Sequence, residues 1–446
     1  MLGFYNSRLP IARKIKEIYE QKGLSQSEIA KHLGCEAEAV ELIEKEREIY
    51  SKEQIEKLAE FLEITEISLD INERESYQRG LSAWRVSISK QRFNDAIRVH
   101  DELYGLYEIE YLPFDNDLIM LYRMYKVKHL LTEGNYDGAE EILKRAESNI
   151  KKEYLRIQYH YHYNMGLLYS LRKGYKEALR SYKTACNIGF SDEDQYKLHY
   201  NMGICYSHLG MYLRAVICYE KAELLSKHDQ MDFFSLHIGN NLALDYLKLG
   251  ETNLAKKKLA DCVECAEFHE DREFSGQIML NLGRICIKEK GYARALEYFE
   301  VAKKFMDETS AIHFEILYYT ILCLITSRDQ SAENELTRAK LIFQENKHYS
   351  LLFDSLSHIL TLENKTSVEY IENTTIPNLI GKCEYFRAAD YYSLLEIHFK
   401  TSGEEAEALK IKASLSELYK KMIGGGEEYE EEISWPYFTS SYSGEC

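Results

Sequence analysis

Between Asn164 and Ala302 the chain repeats one arrangement of small, aromatic and polar positions four times. The first copy places Asn164, Gly166 and Tyr169 in one stretch and Tyr175, Ala178, Tyr182 and Ala185 in the next. The second runs Asn201, Gly203, Tyr206, then Tyr212, Ala215, Tyr219, Ala222, and the third Asn241, Ala243, Tyr246, then Ala255, Leu259, Cys262. The fourth is Asn281, Gly283, Cys286, then Tyr292, Ala295, Phe299, Ala302. The small-residue column at 166, 203, 243 and 283 advances by 37, 40 and 40 residues, the spacing of stacked helix pairs. A small residue in the first helix lets the second approach closely, an aromatic ring fills the gap, and alanines in the second helix receive the next pair. With four prolines in 446 residues and no alternating strand pattern, an almost wholly helical protein is expected.

With Gly210 in the second copy and Gly250 in the third, seven or eight columns coincide in each, and the set resembles the tetratricopeptide repeat in slightly lengthened form. Weaker copies flank it: Phe93 with Ala96; Gly134, Tyr136, Ala139 and Ala146; Ala332, Leu336 and Ala339; Gly403, Ala408 and Leu415. The repeat region is therefore assigned to residues 81–422. Ahead of it, Ile11, Ile15 and Ile18 stripe a first helix from Pro10 to Gln21. Ser25 and Glu28 form a Ser-x-x-Glu capping box for a second helix, Gly34 permits a turn, and a third helix starts near Glu36, seated through Val40 and Ile43 on Ile29 and Leu33. A fourth follows over Ser51 to Leu62. The stretch from Leu24 to Ile64 resembles the Xre/Cro-type DNA-binding domain. The predicted fold class is all-α: an N-terminal helix-turn-helix domain (1–66), a polar helical linker (67–80), a tetratricopeptide α-solenoid (81–422) carrying peptide binding and dimerisation, and an acidic tail (423–446).

Composition narrows the partners. The net charge of −17 is uneven: residues 1–35 carry six basic and three acidic side chains, and residues 36–70 carry four basic and twelve acidic. The third helix presents Glu36, Glu38 and Glu41, and carboxylates are repelled by a phosphate-lined groove. No stretch resembles a secretory signal or a membrane span, so a cytoplasmic chain without membrane contact is expected. The abundance of Lys, Ile, Tyr, Asn and Glu suits an AT-rich genome. Ten cysteines in a chain this long do not make a disulfide framework; several fall in repeat core columns. Cys262 and Cys265 form a C-x-x-C without a second pair at zinc spacing. No phosphate loop, nucleophile elbow or zinc-protease helix is present, so no catalytic residue, metal or cofactor is expected.

The chemistry that remains is recognition. Gln26 and Ser27 open the second helix, where side chains and backbone N–H groups can hold a phosphate. Lys31 lies a turn further, Arg13, Lys14 and Lys16 sit on the first helix, and Lys45 and Arg47 follow the third. Glu36 or Glu38 can accept from a cytosine amino group. Two readings stand here: DNA binding, or a helix-turn-helix kept for docking to protein.

In the repeats, Asn164, Asn201, Asn241 and Asn281 share one column of successive first helices. An amide offers a donor and an acceptor, so such a ladder can hold an extended peptide backbone. His160, Tyr163, Lys197, Tyr200, His237, Asn240 and Arg284 are the neighbours on that face, a partly apolar surface with cations for a ligand carboxylate. Asparagine packing between adjacent repeats is the other reading of the same column.

A helix-turn-helix followed by such a solenoid resembles the Gram-positive peptide-responsive regulators of the Rgg, Rap, NprR, PlcR and PrgX family, and within it is similar to the RstA-type regulators of spore-forming clostridia. The resemblance implies a cytoplasmic homodimer that binds a signalling oligopeptide in the solenoid groove, acts on palindromic or paired DNA half-sites, and governs sporulation or virulence genes. It also implies an alternative: action on a response regulator or phosphorelay component, as a docking protein or phosphatase. The acidic third helix departs from the family pattern.

Overall fold

The structure is a computed structural model that describes residues 9–44, 52–63, 71–89, 93–107, 116–148, 150, 154–188, 195–226, 233–269, 272–308 and 310–424. Its elements are helices throughout these residues. They fall into two compact units, 1–190 and 191–446. The first opens with α1 (Leu9–Gln21), α2 (Gln26–Leu33), α3 (Ala37–Glu44) and α4 (Lys52–Phe61). Helix pairs follow: α5 (Ile71–Ser89) with α6 (Phe93–Tyr107), α7 (Asn116–Thr132) with α8 (Tyr136–Glu147), and α9 (Leu155–Leu171) with α10 (Tyr175–Ile188).

The second unit continues with α11 (Gln195–His208) and α12 (Tyr212–Leu225), α13 (Phe233–Lys248) and α14 (Thr252–His269), and α15 (Arg272–Lys288) and α16 (Tyr292–Lys303). Then come α17 (Ala311–Thr326), α18 (Ala332–Phe343), α19 (Lys347–Leu360), a short α20 (Lys365–Tyr370), a π-helical turn over Ile371–Thr375, α21 (Ile376–Gly381), α22 (Tyr385–Thr401) and α23 (Glu405–Gly424). The tail from residue 425 lies outside the described residues.

The N-terminal helices form as their local sequence dictates. The Ser25 backbone N–H donates to Glu28 Oε2 at 2.7 Å and the Glu28 N–H to Ser25 Oγ at 3.4 Å, satisfying two donors that a helix start leaves open. Gly34 ends α2 at φ 71°, a left-handed conformation that costs glycine little. Ile29, Ala30, Leu33, Val40 and Ile43 are all buried, as expected for α2 against α3. Their core is not separate: Ile15, Tyr19, Leu58 and Leu62 join one cluster with Tyr77, Leu81 and Trp84. Within the segment read as a polar linker, helix begins at Ile71 and Tyr77 is wholly buried.

In the repeats the small-residue column acts through steric fit. A Cβ on Gly203 would lie 2.5 Å from Tyr219 Cε1, closer than side-chain atoms pack. Gly166 meets Tyr182 and Gly283 meets Phe299 in the same way. In the third copy Ala243 and Leu259 hold these two columns, both buried, so a slightly larger residue is matched by a smaller partner. Each first helix turns into its second through a left-handed residue: Lys173, Gly210, Gly250 and Lys290 all have positive φ.

Gly203→Ala should therefore lower stability by about 1–3 kcal/mol. Adding Tyr219→Leu, the combination used by the third copy, should recover part of that loss. Urea melts of the two variants check this; a double variant no more stable than Gly203→Ala would refute the account.

Candidate functional site

At the N-terminal surface, Gln26 is half-buried, and Ser27 and Lys31 are exposed. Lys31 makes no ion pair among the described residues. Glu36 and Glu38 are exposed at the start of α3. Lys16, expected to add positive charge, is paired instead: its Nζ lies 2.9 Å from Glu44 Oε2, and the Tyr19 hydroxyl donates to the other oxygen of that carboxylate. The positive surface predicted over the first two helices is thus reduced by one cation. The side chains of Arg13 and Lys14, and all of Lys45 and Arg47, lie outside the described residues.

Within each unit the asparagines stand on the first helices, and their amides are partly spent on the fold. In the first unit, Asn164 is 1% exposed and its Nδ2 donates to the Met124 carbonyl of α7 at 2.7 Å. Beside it on α9, His160 packs on the edge of Tyr125, and Tyr163 lies under Lys128. In the second unit, Asn241 Nδ2 donates to the Tyr200 hydroxyl at 3.0 Å, joining α13 to α11. Asn281 Nδ2 donates to Asn240 Oδ1 at 2.8 Å, joining α15 to α13. Asn201 and Asn241 remain half-exposed, whereas Asn240 and Asn281 are buried. Asn164, Asn241 and Asn281 thus tie neighbouring repeats within their units, while Asn201 and Asn241 keep part of their surface open.

The cations on this face are held against rings. Lys197 is buried with its Nζ 5.4 Å from the Tyr196 ring centre and 5.6 Å from that of Phe234. His237 is half-buried and meets Phe274 edge-on at 5.0 Å. Arg284, one turn beyond Asn281, lies over Tyr319 of α17 at 4.7 Å and near Phe386 of α22 at 5.8 Å.

Around Arg284 is a group that the repeat pattern does not announce. Asp245, 1% exposed, pairs with Lys248 Nζ at 2.7 Å and accepts from Ser207 Oγ at 2.8 Å. Burial pushes the Asp245 carboxyl up and the Lys248 ammonium down, so desolvation outweighs the attraction between them. Lys248 also lies 4.6 Å from the Tyr212 ring. Helix α22 adds Phe386, Arg387 and Asp390. Asp245 and Lys248, one turn apart, were legible as a possible pair; the approach of α22 was not, since Lys288 and Asp390 are 102 residues apart.

A tetratricopeptide-repeat family profile matches residues 196–229, which take in α11 and α12. None of the curated proteins matches the sequence. Solved structures do. A Rap protein complexed with competence and sporulation factor is 15% identical, with a TM-score of 0.65 over 78% of this chain and 99% of that one. The apo quorum sensor NprR from B. thuringiensis is 18% identical, with a TM-score of 0.62 over 77% and 99%. NprR in complex with its cognate peptide NprX is 19% identical, with a TM-score of 0.59 over the same shares. These likenesses show a common fold: the chain is an all-helical tetratricopeptide-type repeat protein. No helix among the described residues is long and apolar enough to cross a membrane.

On α11, beside Tyr200, His199 faces the packed side and its pKa is lowered to about 4, by burial first and by Lys221 second. A histidine whose folded pKa lies below its unfolded value of about 6.5 favours the folded state when neutral. Its contribution is complete above that pH and is lost as pH falls toward 4. His129, His162 and His313 are shifted the same way by burial. Stability should fall between pH 7.5 and 5.5, with His199 supplying roughly 1.4 kcal/mol of the change. Urea midpoints for wild type and His199→Gln at the two pH values check this; equal pH dependence in both would exclude the assignment.

Proposed function

We propose that this chain is a cytoplasmic transcriptional regulator, homodimeric on paired half-sites. It binds DNA through its N-terminal helices and is controlled by a short signalling oligopeptide on the asparagine face of the repeats. Sporulation or virulence genes are the targets its resemblance implies. The observation that carries the reading is the joining, in one chain, of a capped α2–turn–α3 unit to a repeat fold shared with NprR, a quorum sensor solved with its cognate peptide. Ser27 and Lys31 stand exposed on α2 with the helix N-terminus beside them, which suits a phosphate contact. The half-exposed Asn201 and Asn241 and the ring-backed cations Lys197 and Arg284 suit a peptide with apolar side chains and a carboxylate.

A second reading has its own support. The exposed Glu36 and Glu38, with Lys16 neutralised by Glu44, make the N-terminal surface less cationic than a DNA reader normally is. That surface, or the helices preceding residue 160, would then dock a response regulator or phosphorelay component.

A salt titration of binding to the DNA upstream of the protein's own gene separates the two. For a DNA reader, affinity falls with salt, and Lys31→Ala combined with Gln26→Ala weakens binding and reduces the salt slope by about one. Absence of binding at low salt, with or without candidate peptides, would favour protein docking.

A further inference from the structure

We infer that the N-terminal half of α22 is a built-in competitor for the site at the end of the asparagine face, and that the ligand group it competes with is a free carboxylate beside an apolar side chain. The inference rests on the peptide reading above and names what the peptide must carry. Lys288, at the end of α15, holds Asp390 Oδ1 at 2.8 Å and lies 4.4 Å from the Phe386 ring centre. The same ring approaches Arg284. A carboxylate and an aromatic ring one turn apart on α22 thus occupy two cations that line the repeat face.

The charges around the site are unevenly matched. Lys248 takes Asp245, and Lys288 takes Asp390. Arg387 takes two carboxylates, Glu315 Oε1 at 2.6 Å and Glu384. Arg284, which feels the Asp245 charge, forms no ion pair with a carboxylate among the described residues, and its Nε–H is buried without a hydrogen-bond acceptor. Its guanidinium is oriented by the Tyr319 face, and Asp245 Oδ2, also buried, has no donor. An incoming carboxylate would give Arg284 the bidentate partner it lacks. To reach both cations it must displace Phe386 and Asp390.

The competitor is held by further contacts at its start. Glu384, just before α22, receives His348 Nε2 at 2.6 Å as well as Arg387. Tyr385 lies so close to Gly210 that a side chain there would collide with its ring. Loss of the Asp390 and Phe386 contacts therefore loosens α22 against α15, which carries Arg284 and Lys288, and against the turn at Gly210 that joins α11 to α12. Ligand binding and the position of α22 become linked, because the two occupy the same cations.

The test uses the full chain and a randomised library of short synthetic peptides, half with a free C-terminal carboxylate and half amidated, with bound peptides identified by mass spectrometry. Free-acid peptides with apolar C-terminal residues should be enriched. The enrichment should rise about ten-fold in Asp390→Asn, which removes the internal competitor, and vanish in Arg284→Gln. Lys288→Gln, at an exposed position, should also reduce it and guards against misfolding of the arginine variant. If a side-chain carboxylate is read instead of the terminal one, amidated peptides rich in Asp or Glu will be enriched in the same Arg284-dependent way. Hydrogen exchange at Tyr385–Ala389 should quicken when the selected peptide binds. Equal binding of acid and amide peptides irrespective of acidic residues, or no gain in Asp390→Asn, would overturn the inference and leave the peptide reading standing. No peptide bound by any variant would overturn both.

Discussion

Close approach of paired helices, glycine to ring, is the contact on which the rest of this structure depends. Gly166, Gly203 and Gly283 leave room for Tyr182, Tyr219 and Phe299, and all three rings are fully buried. Packing at this density sets the rotation of each first helix about its axis. With the small residue turned to its own partner, the asparagine two positions earlier faces the neighbouring repeat. The hydrogen bonds from Asn164, Asn241 and Asn281 to residues 40 or 41 positions earlier in sequence are consequences of that rotation.

The same geometry explains why charge accumulates beyond the asparagines of the second unit. One turn beyond the asparagine column stand Asp245 and Arg284, and two turns beyond it Lys248 and Lys288; Asp245 is buried, Lys248 and Arg284 are half-buried, and Lys288 is exposed beside α22. A buried charge is costly alone and tolerable when paired and hydrogen-bonded. Asp245 has Lys248 and Ser207, and Arg387 has Glu315 and Glu384. Electrostatic interactions strengthen in such surroundings, which makes the group responsive to the entry of one further charge.

Much of this was legible locally. The capping box at Ser25 and the glycine turn at Gly34 involve residues within nine positions of one another, and they fold as read. The repeat register was legible because the same contacts recur every 37 to 40 residues. Less legible was how the polar residues would be used. Asn164 and Asn281 have the donor and acceptor that a peptide needs, yet the neighbouring helix takes their N–H groups first. Lys16 counts as a free cation in a tally of charge, but a carboxylate on α3 holds it. Tyr77, in a stretch of polar residues, is buried because α5 packs on α6 and the N-terminal helices share its core.

Sequence alone determined that the chain is helical, where its paired helices begin and turn, and which columns are small, aromatic or polar. Those properties depend on steric and hydrogen-bond preferences acting over a turn or two of helix, repeated often enough to be read. Tertiary structure decided which polar groups are consumed by the fold and which stay open, because that depends on partners distant in sequence. The covering of Arg284 and Lys288 by Phe386 and Asp390 is the clearest case. Two cations on a repeat helix look open to any anion until a helix about a hundred residues later brings a ring and a carboxylate onto them.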